Sequence, residues 1–177
     1  MRLFVAAWPT EEVTVVLAAL PRPSIGSVRW TTPEQWHVTL VFLGEVDADQ
    51  VPAAAAALEV AAARAAAPPL ATLGPATVRA GRSLLWVPVG GLDELAAATA
   101  AELAAAGVAW RDDPEDDHPF RGHVTLARAR GGRAVPAALA GTPVTAGWPV
   151  GSLCLVRSSL DPDRARYQTI AEATVPS

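Results

Sequence analysis

Apolar positions along the chain fall into two patterns: short near-continuous runs, and longer stretches in which they recur every three or four residues. Arg2 to Trp8 (RLFVAAW) reads as a buried strand. Thr10 follows as an N-cap, with Glu11 and Glu12 complementing the dipole of a helix that runs to Leu20 and stops before Pro21. Val28 to Trp30 is a short strand, and Trp36 to Leu43 (WHVTLVFL) a longer one ended by Gly44. Asp47 or Asp49 caps a long helix through Ala67, with Pro52 tolerated in its first turn and Pro68–Pro69 ending it. Thr72 to Val78 and Leu84 to Val89 pair as strands, and Asp93 opens a helix closed by Gly107. An acidic loop, Asp112 to Asp117, leads into a strand from Gly122 to Ala129; Ser152 to Ser159 and Tyr167 to Ala173 close the chain. Long helices among adjacent strands predict an α+β fold, with parallel crossovers left open by the pattern.

Composition narrows the chemistry. The chain has 177 residues, 51% of them hydrophobic and 18% charged, which excludes a disordered chain and suits one domain over residues 1–177 or two small lobes sharing an interface. All 14 basic residues are Arg, so lysine Schiff-base chemistry and a P-loop lysine are excluded. The net charge of −4 argues against coating nucleic acid through bulk charge. The single cysteine, Cys154, lies in an apolar run, so neither a disulfide framework nor a cysteine zinc site is available. The apolar stretch Leu3–Trp8 is too short for a signal-peptide core, and Glu59 and Arg64 interrupt the alanine-rich segment Ala53–Ala67. The expectation is a soluble, cytoplasmic protein with no membrane partner, monomeric by default.

A repeat changes the picture. His37-Val38-Thr39-Leu40 recurs as His123-Val124-Thr125-Leu126, which places two of the three histidines in one tetrapeptide, once in each half of the chain. On a strand, His and Thr share one face while Val and Leu anchor the other. Two such strands across a groove would offer two imidazoles and two hydroxyls around one centre. That set suits phosphodiester chemistry. A neutral imidazole takes a proton, a protonated one delivers a proton to the leaving oxygen, and threonine hydroxyls donate to the phosphate oxygens. The scheme requires no metal and no cofactor.

The segments Trp36-His37-Val38-Thr39-Leu40 with Phe42-Leu43-Gly44, and Pro119-Phe120-Arg121-Gly122-His123-Val124-Thr125-Leu126-Ala127-Arg128, resemble the two signatures of the two-histidine (2H) phosphoesterases. The similarity is to the bacterial RNA 2′,3′-cyclic phosphodiesterase branch, historically called 2′-5′ RNA ligases. The opening RLFVAAW, Val28-Arg29-Trp30 and Leu155 to Leu160 are also similar to that branch. The resemblance implies a bilobal α+β fold of two pseudo-symmetric antiparallel sheets backed by helices, with the catalytic groove between them. It implies metal-independent hydrolysis of a terminal 2′,3′-cyclic phosphate to a 2′-phosphomonoester, acting on RNA ends or small cyclic nucleotides. By analogy His37 is the acid and His123 the base, while Thr39, Thr125 and Arg128 hold the phosphate.

Two departures matter. Gly122 stands where the family commonly has Pro, and strict alternation puts Arg128 on the face opposite His123 unless the strand bulges, twists or ends nearby. Phe42 is the counterpart of Arg128 in the first repeat. His118, in the acidic run, reads as part of a solvated loop rather than a metal ligand. Arg121, Arg128, Arg130 and Arg133 form a basic cluster near the second motif; Trp8, Trp30, Trp36 and Trp148 could stack on a base but read mainly as core, and Tyr167 receives no role. The competing functions are a 2H enzyme for another small cyclic nucleotide phosphate, an RNA-end binding protein with little turnover, and a metal-dependent hydrolase using His37, His118 and His123.

Overall fold

In a computed structural model, residues 1–108, 120–160 and 165–177 are described. The strand β1 (Arg2–Ala7) is apolar after Arg2 because both of its faces are covered. Leu3, Val5 and Ala7 face the main core, while Phe4 and Ala6 join a smaller cluster with Cys154, Val156, Trp8 and Tyr167. The other strands are β2 (Val28–Trp30), β3 (Val38–Glu45), β4 (Leu70–Leu73), β5 (Val78–Ala80), β6 (Leu84–Gly90), β7 (His123–Ala129), β8 (Ala146–Pro149), β9 (Ser152–Leu160) and β10 (Ala165–Thr174). Every pairing between them is antiparallel among the described residues.

These strands form one curled sheet in the order β10-β9-β1-β3-β7-β6-β4-β8, with β2 beside β7 and β5 beside β6. Its two halves, β10-β9-β1-β3 and β7-β6-β4-β8, are joined between β3 and β7 through the single pair Val38↔Val124. Both valines are second residues of the repeated tetrapeptides, and both are fully buried. The antiparallel register therefore sets His37 beside Thr125 and Thr39 beside His123.

Among the described residues three helices back the sheet: α1 (Glu11–Ala18), α2 (Val51–Arg64) and α3 (Asp93–Ala105). The buried face of α2 is Ala54, Ala57, Leu58, Ala61 and Ala62, a helical period of small residues that lets it lie close to β9, β10 and α3. Arg64 of α2 pairs with Glu102 of α3.

The structure differs from the sequence reading in several places. Gly44 does not end β3 but lies within it at φ 67, where β1 and β3 slip in register. Trp36 and His37 precede β3, since a short 3-10 turn (Pro33–Gln35) ends against them. Helix α2 begins after a 3-10 turn and stops at Arg64, short of Ala67. The segment expected as one strand from Thr72 to Val78 is two, β4 and β5, separated by the Gly74–Pro75 turn. The sequence pattern does not predict β8, because Gly147 and Pro149 lie within this four-residue strand. His118 and the acidic run Asp112–Asp117 lie outside the described residues.

Candidate active site

Where the two halves meet, the repeated motifs line a cavity of about 90 Å³. His37, Thr39, His123, Thr125 and Arg128 all reach it, as do Arg29, Thr31, Gln35, Ala165 and Tyr167. The volume matches a few water molecules, which is the scale of one phosphate group.

Each imidazole is set by the same local device. His37 Nδ1 lies 2.9 Å from the carbonyl oxygen of Gln35, and His123 Nδ1 lies 2.7 Å from that of Arg121. A carbonyl only accepts, so Nδ1 carries the hydrogen in both rings and Nε2 is left free. The neutral form then presents a proton acceptor at Nε2, and the protonated form a donor at that atom.

The surroundings of the two rings differ. Phe4 stacks on His37 at 4.8 Å between centroids, and Tyr167 and Trp8 meet it edge-on at 4.9 and 5.3 Å. His123 packs against Trp86, at 4.0 Å between centroids. Burial, opposed by the Gln35 hydrogen bond and aided by the charges of His123 and Arg128, lowers the His37 pKa from 6.5 to about 4. Burial and Arg128 also hold His123 below its ordinary value.

Arg128 reaches the cavity through a bulge. Opposite β7, Leu85 pairs with Ala127 and Trp86 with Thr125, so Leu126 is an extra residue. The phase flips there: Leu126 and Ala127 are both buried, and Arg128 turns to the histidine face. Thr31 supports the bulge: its amide donates to the Leu126 carbonyl at 2.9 Å, and its hydroxyl shares one hydrogen between the carbonyls of Thr125 at 2.7 Å and Leu126 at 2.9 Å. The first repeat has the same device. Val5 pairs with Val41 and Ala6 with Thr39, leaving Leu40 extra and turning Phe42 to the site face. Arg128 is exposed at the rim rather than buried.

Gly122 now has a physical reason. Its backbone lies against β6, where the Val89 amide donates to its carbonyl at 2.8 Å, and a Cβ there would collide with the Val89 carbonyl oxygen. The close approach fixes β7 immediately before His123.

Tyr167, given no role by the sequence, lines the cavity against His37, and Gln35 ties the strand carrying it to the first motif through Nε2 to the Ala165 carbonyl at 2.8 Å. Nothing in the local pattern around Tyr167 signals this; its position depends on β10 folding back along β9. Arg29 was also passed over, yet it stands directly across from Arg128 on β2. Of the expected basic cluster, Arg128 alone lines this cavity; Arg121 lines a separate groove beyond Trp86. Trp36 and Trp148 are core residues, while Trp8 packs on His37.

A sequence model of the 2′-5′ RNA ligase superfamily matches residues 29–162. The chain belongs to that superfamily. The match spans both histidine motifs, and the protein is accordingly a two-histidine phosphoesterase. It is 34% identical to the RNA 2′,3′-cyclic phosphodiesterase of Thermus thermophilus over 96% of this chain and 88% of the relative. Among solved structures, TT0787 of Thermus thermophilus superposes with a TM-score of 0.81 at 27% identity, covering 99% of this chain and 98% of that one. Escherichia coli LigT bound to 3′-AMP superposes with a TM-score of 0.70 at 26% identity, over the same shares of the two chains. This superfamily member shares its α+β architecture of a curled antiparallel sheet with those proteins.

Proposed function

We propose that the protein hydrolyses RNA 2′,3′-cyclic phosphate termini to 2′-phosphomonoesters without a metal ion, using His37 and His123 as an acid–base pair. The observation that carries the reading is the matched anchoring of the two rings, each held at Nδ1 with Nε2 free beside the phosphate-sized cavity. His123 Nε2 takes a proton from water as its oxygen attacks phosphorus. The bond from phosphorus to the 3′ oxygen breaks, and His37 Nε2–H supplies the proton to that oxygen. Thr39 and Thr125 donate to the non-bridging oxygens, and Arg128 balances their charge.

The low basicity of His37 is compatible with the role of acid. An anionic ester in the cavity favours the charged imidazole and raises its pKa. The proton is thus taken up with the substrate, and the aromatic enclosure then makes the ring a willing donor.

A second reading, hydrolysis of a small cyclic nucleotide phosphate outside an RNA chain, draws on the LigT crystal structures holding 3′-AMP and NADP+. The test is phosphorus NMR of the product from a 2′,3′-cyclic phosphate substrate, with and without chelator. A 2′-phosphomonoester formed at equal rates in both supports the mechanism. A 3′-phosphomonoester, or loss of turnover with chelator, sinks it.

A further inference from the structure

The histidine cavity opens into a larger hollow of about 360 Å³ that continues along β1 and β3. The two share His37, Thr39, Arg29, Arg128 and Tyr167, and the hollow adds Arg2, Phe4, Phe42 and Ser158. Among the described residues neither is lined by an Asp or Glu, while three arginines face them in a chain of net charge −4. One cyclic phosphate carries a single negative charge, which Arg128 already faces. Of the three, Arg2 lines the hollow but not the histidine cavity, and it answers to anionic charge beyond the reacting group.

Arg2 is the farthest of them. Its guanidinium lies 5.0 Å over the ring of Phe42, which the bulge at Leu40 has turned to this face. Glu45 is its partner across the strands, but that carboxylate meets the N-terminal ammonium at 3.2 Å. No carboxylate among the described residues forms an ion pair with Arg2. On β1, Arg2 lies two residues, about 7 Å, beyond Phe4. The Phe4 ring is itself 4.8 Å from that of His37. That offset exceeds the span of a single phosphate and suits the next phosphodiester of a chain. Neighbouring grooves are less suited to a polyanion: one carries Glu34 with Arg166, and the separate groove beyond Trp86 offsets Arg121 with Asp93.

We infer that Arg2, held on Phe42, forms a second anion subsite for the internucleotide phosphate preceding the cyclic end, so that the enzyme favours oligoribonucleotides over cyclic mononucleotides. This rests on the phosphodiesterase reading above. The experiment compares kcat/KM for a trinucleotide ending in a 2′,3′-cyclic phosphate with that for the matching cyclic mononucleotide, in wild type, Arg2→Gln and Arg2→Lys. Losing one charge-assisted contact should lower the trinucleotide-to-mononucleotide ratio about 10-fold in Arg2→Gln, with Arg2→Lys retaining most of it. Raising salt should weaken the wild-type preference, and Arg2→Gln should flatten the trinucleotide's log–log salt slope by about 0.7. A merely structural role for Arg2 would move both substrates together and leave the slope difference intact. An unchanged ratio in Arg2→Gln would overturn the subsite alone. Turnover of neither substrate by wild type would overturn the phosphodiesterase reading, and the subsite with it.

Discussion

Replacing His37 with Asn should make the protein less sensitive to acid. His37 titrates near 6.5 when unfolded and at about 4 inside its enclosure of Phe4, Trp8 and Tyr167. Between those values the unfolded chain binds a proton that the folded one refuses. Its contribution is therefore complete above pH 6.5 and is lost as the pH falls through the folded value. The full shift corresponds to about 3 kcal/mol, of which about 2.5 kcal/mol is lost by about pH 4.5. Urea unfolding of wild type and His37→Asn at neutral pH and at about pH 4.5 isolates the effect, because the titration of carboxylates cancels in the double difference. Asn forfeits packing at both values, but wild type should lose about 2.5 kcal/mol more than the variant on acidification. Equal losses in the two proteins would refute the burial of a neutral imidazole at this position.

Other consequences follow from the same geometry. Because burial and Arg128 lower both imidazoles, kcat/KM should peak on the acid side of 6.5, with the kcat profile displaced to higher pH by the bound anion; coincident profiles centred at or above 6.5 would contradict this. Thr39→Val and Thr125→Val should each lower kcat about 100-fold with little change in stability, measured by steady-state kinetics beside thermal melts. Thr31→Val removes the hydroxyl donor to the bulge carbonyls and the acceptor of the Trp36 indole N–H, so it should cost about 1–3 kcal/mol and also lower kcat by misplacing Arg128; a stability loss with unchanged kcat would separate the bulge from the chemistry. Gly122→Ala should destabilise by about 1–3 kcal/mol through its collision with β6, readable in urea unfolding.

Much of the site was legible because the chemistry repeats locally. His-Val-Thr-Leu fixes a shared face for His and Thr and a buried anchor for Val and Leu, and Val38 and Val124 indeed meet across the two halves. Arg128 was harder, since its direction depends on a register slip opposite Leu85 and Trp86 that no feature of β7 announces. Tyr167 and Arg2 could not be read at all. Each is ordinary within its own strand and gains meaning only through partners far along the chain, His37 for the tyrosine and Phe42 for the arginine. The shortened helix α2 and the split between β4 and β5 are local errors of length, and they leave the site untouched.

Whether the two histidines act as one unit is tested most directly by kcat on a 2′,3′-cyclic phosphate substrate for His37→Ala, His123→Ala and the double variant. In the proposed mechanism acid and base serve the same step, so each single change should cost about 100- to 10,000-fold. The double variant should then be no slower than the slower single one, since neither residue is useful without the other. Wild-type turnover by either single variant would contradict the pairing.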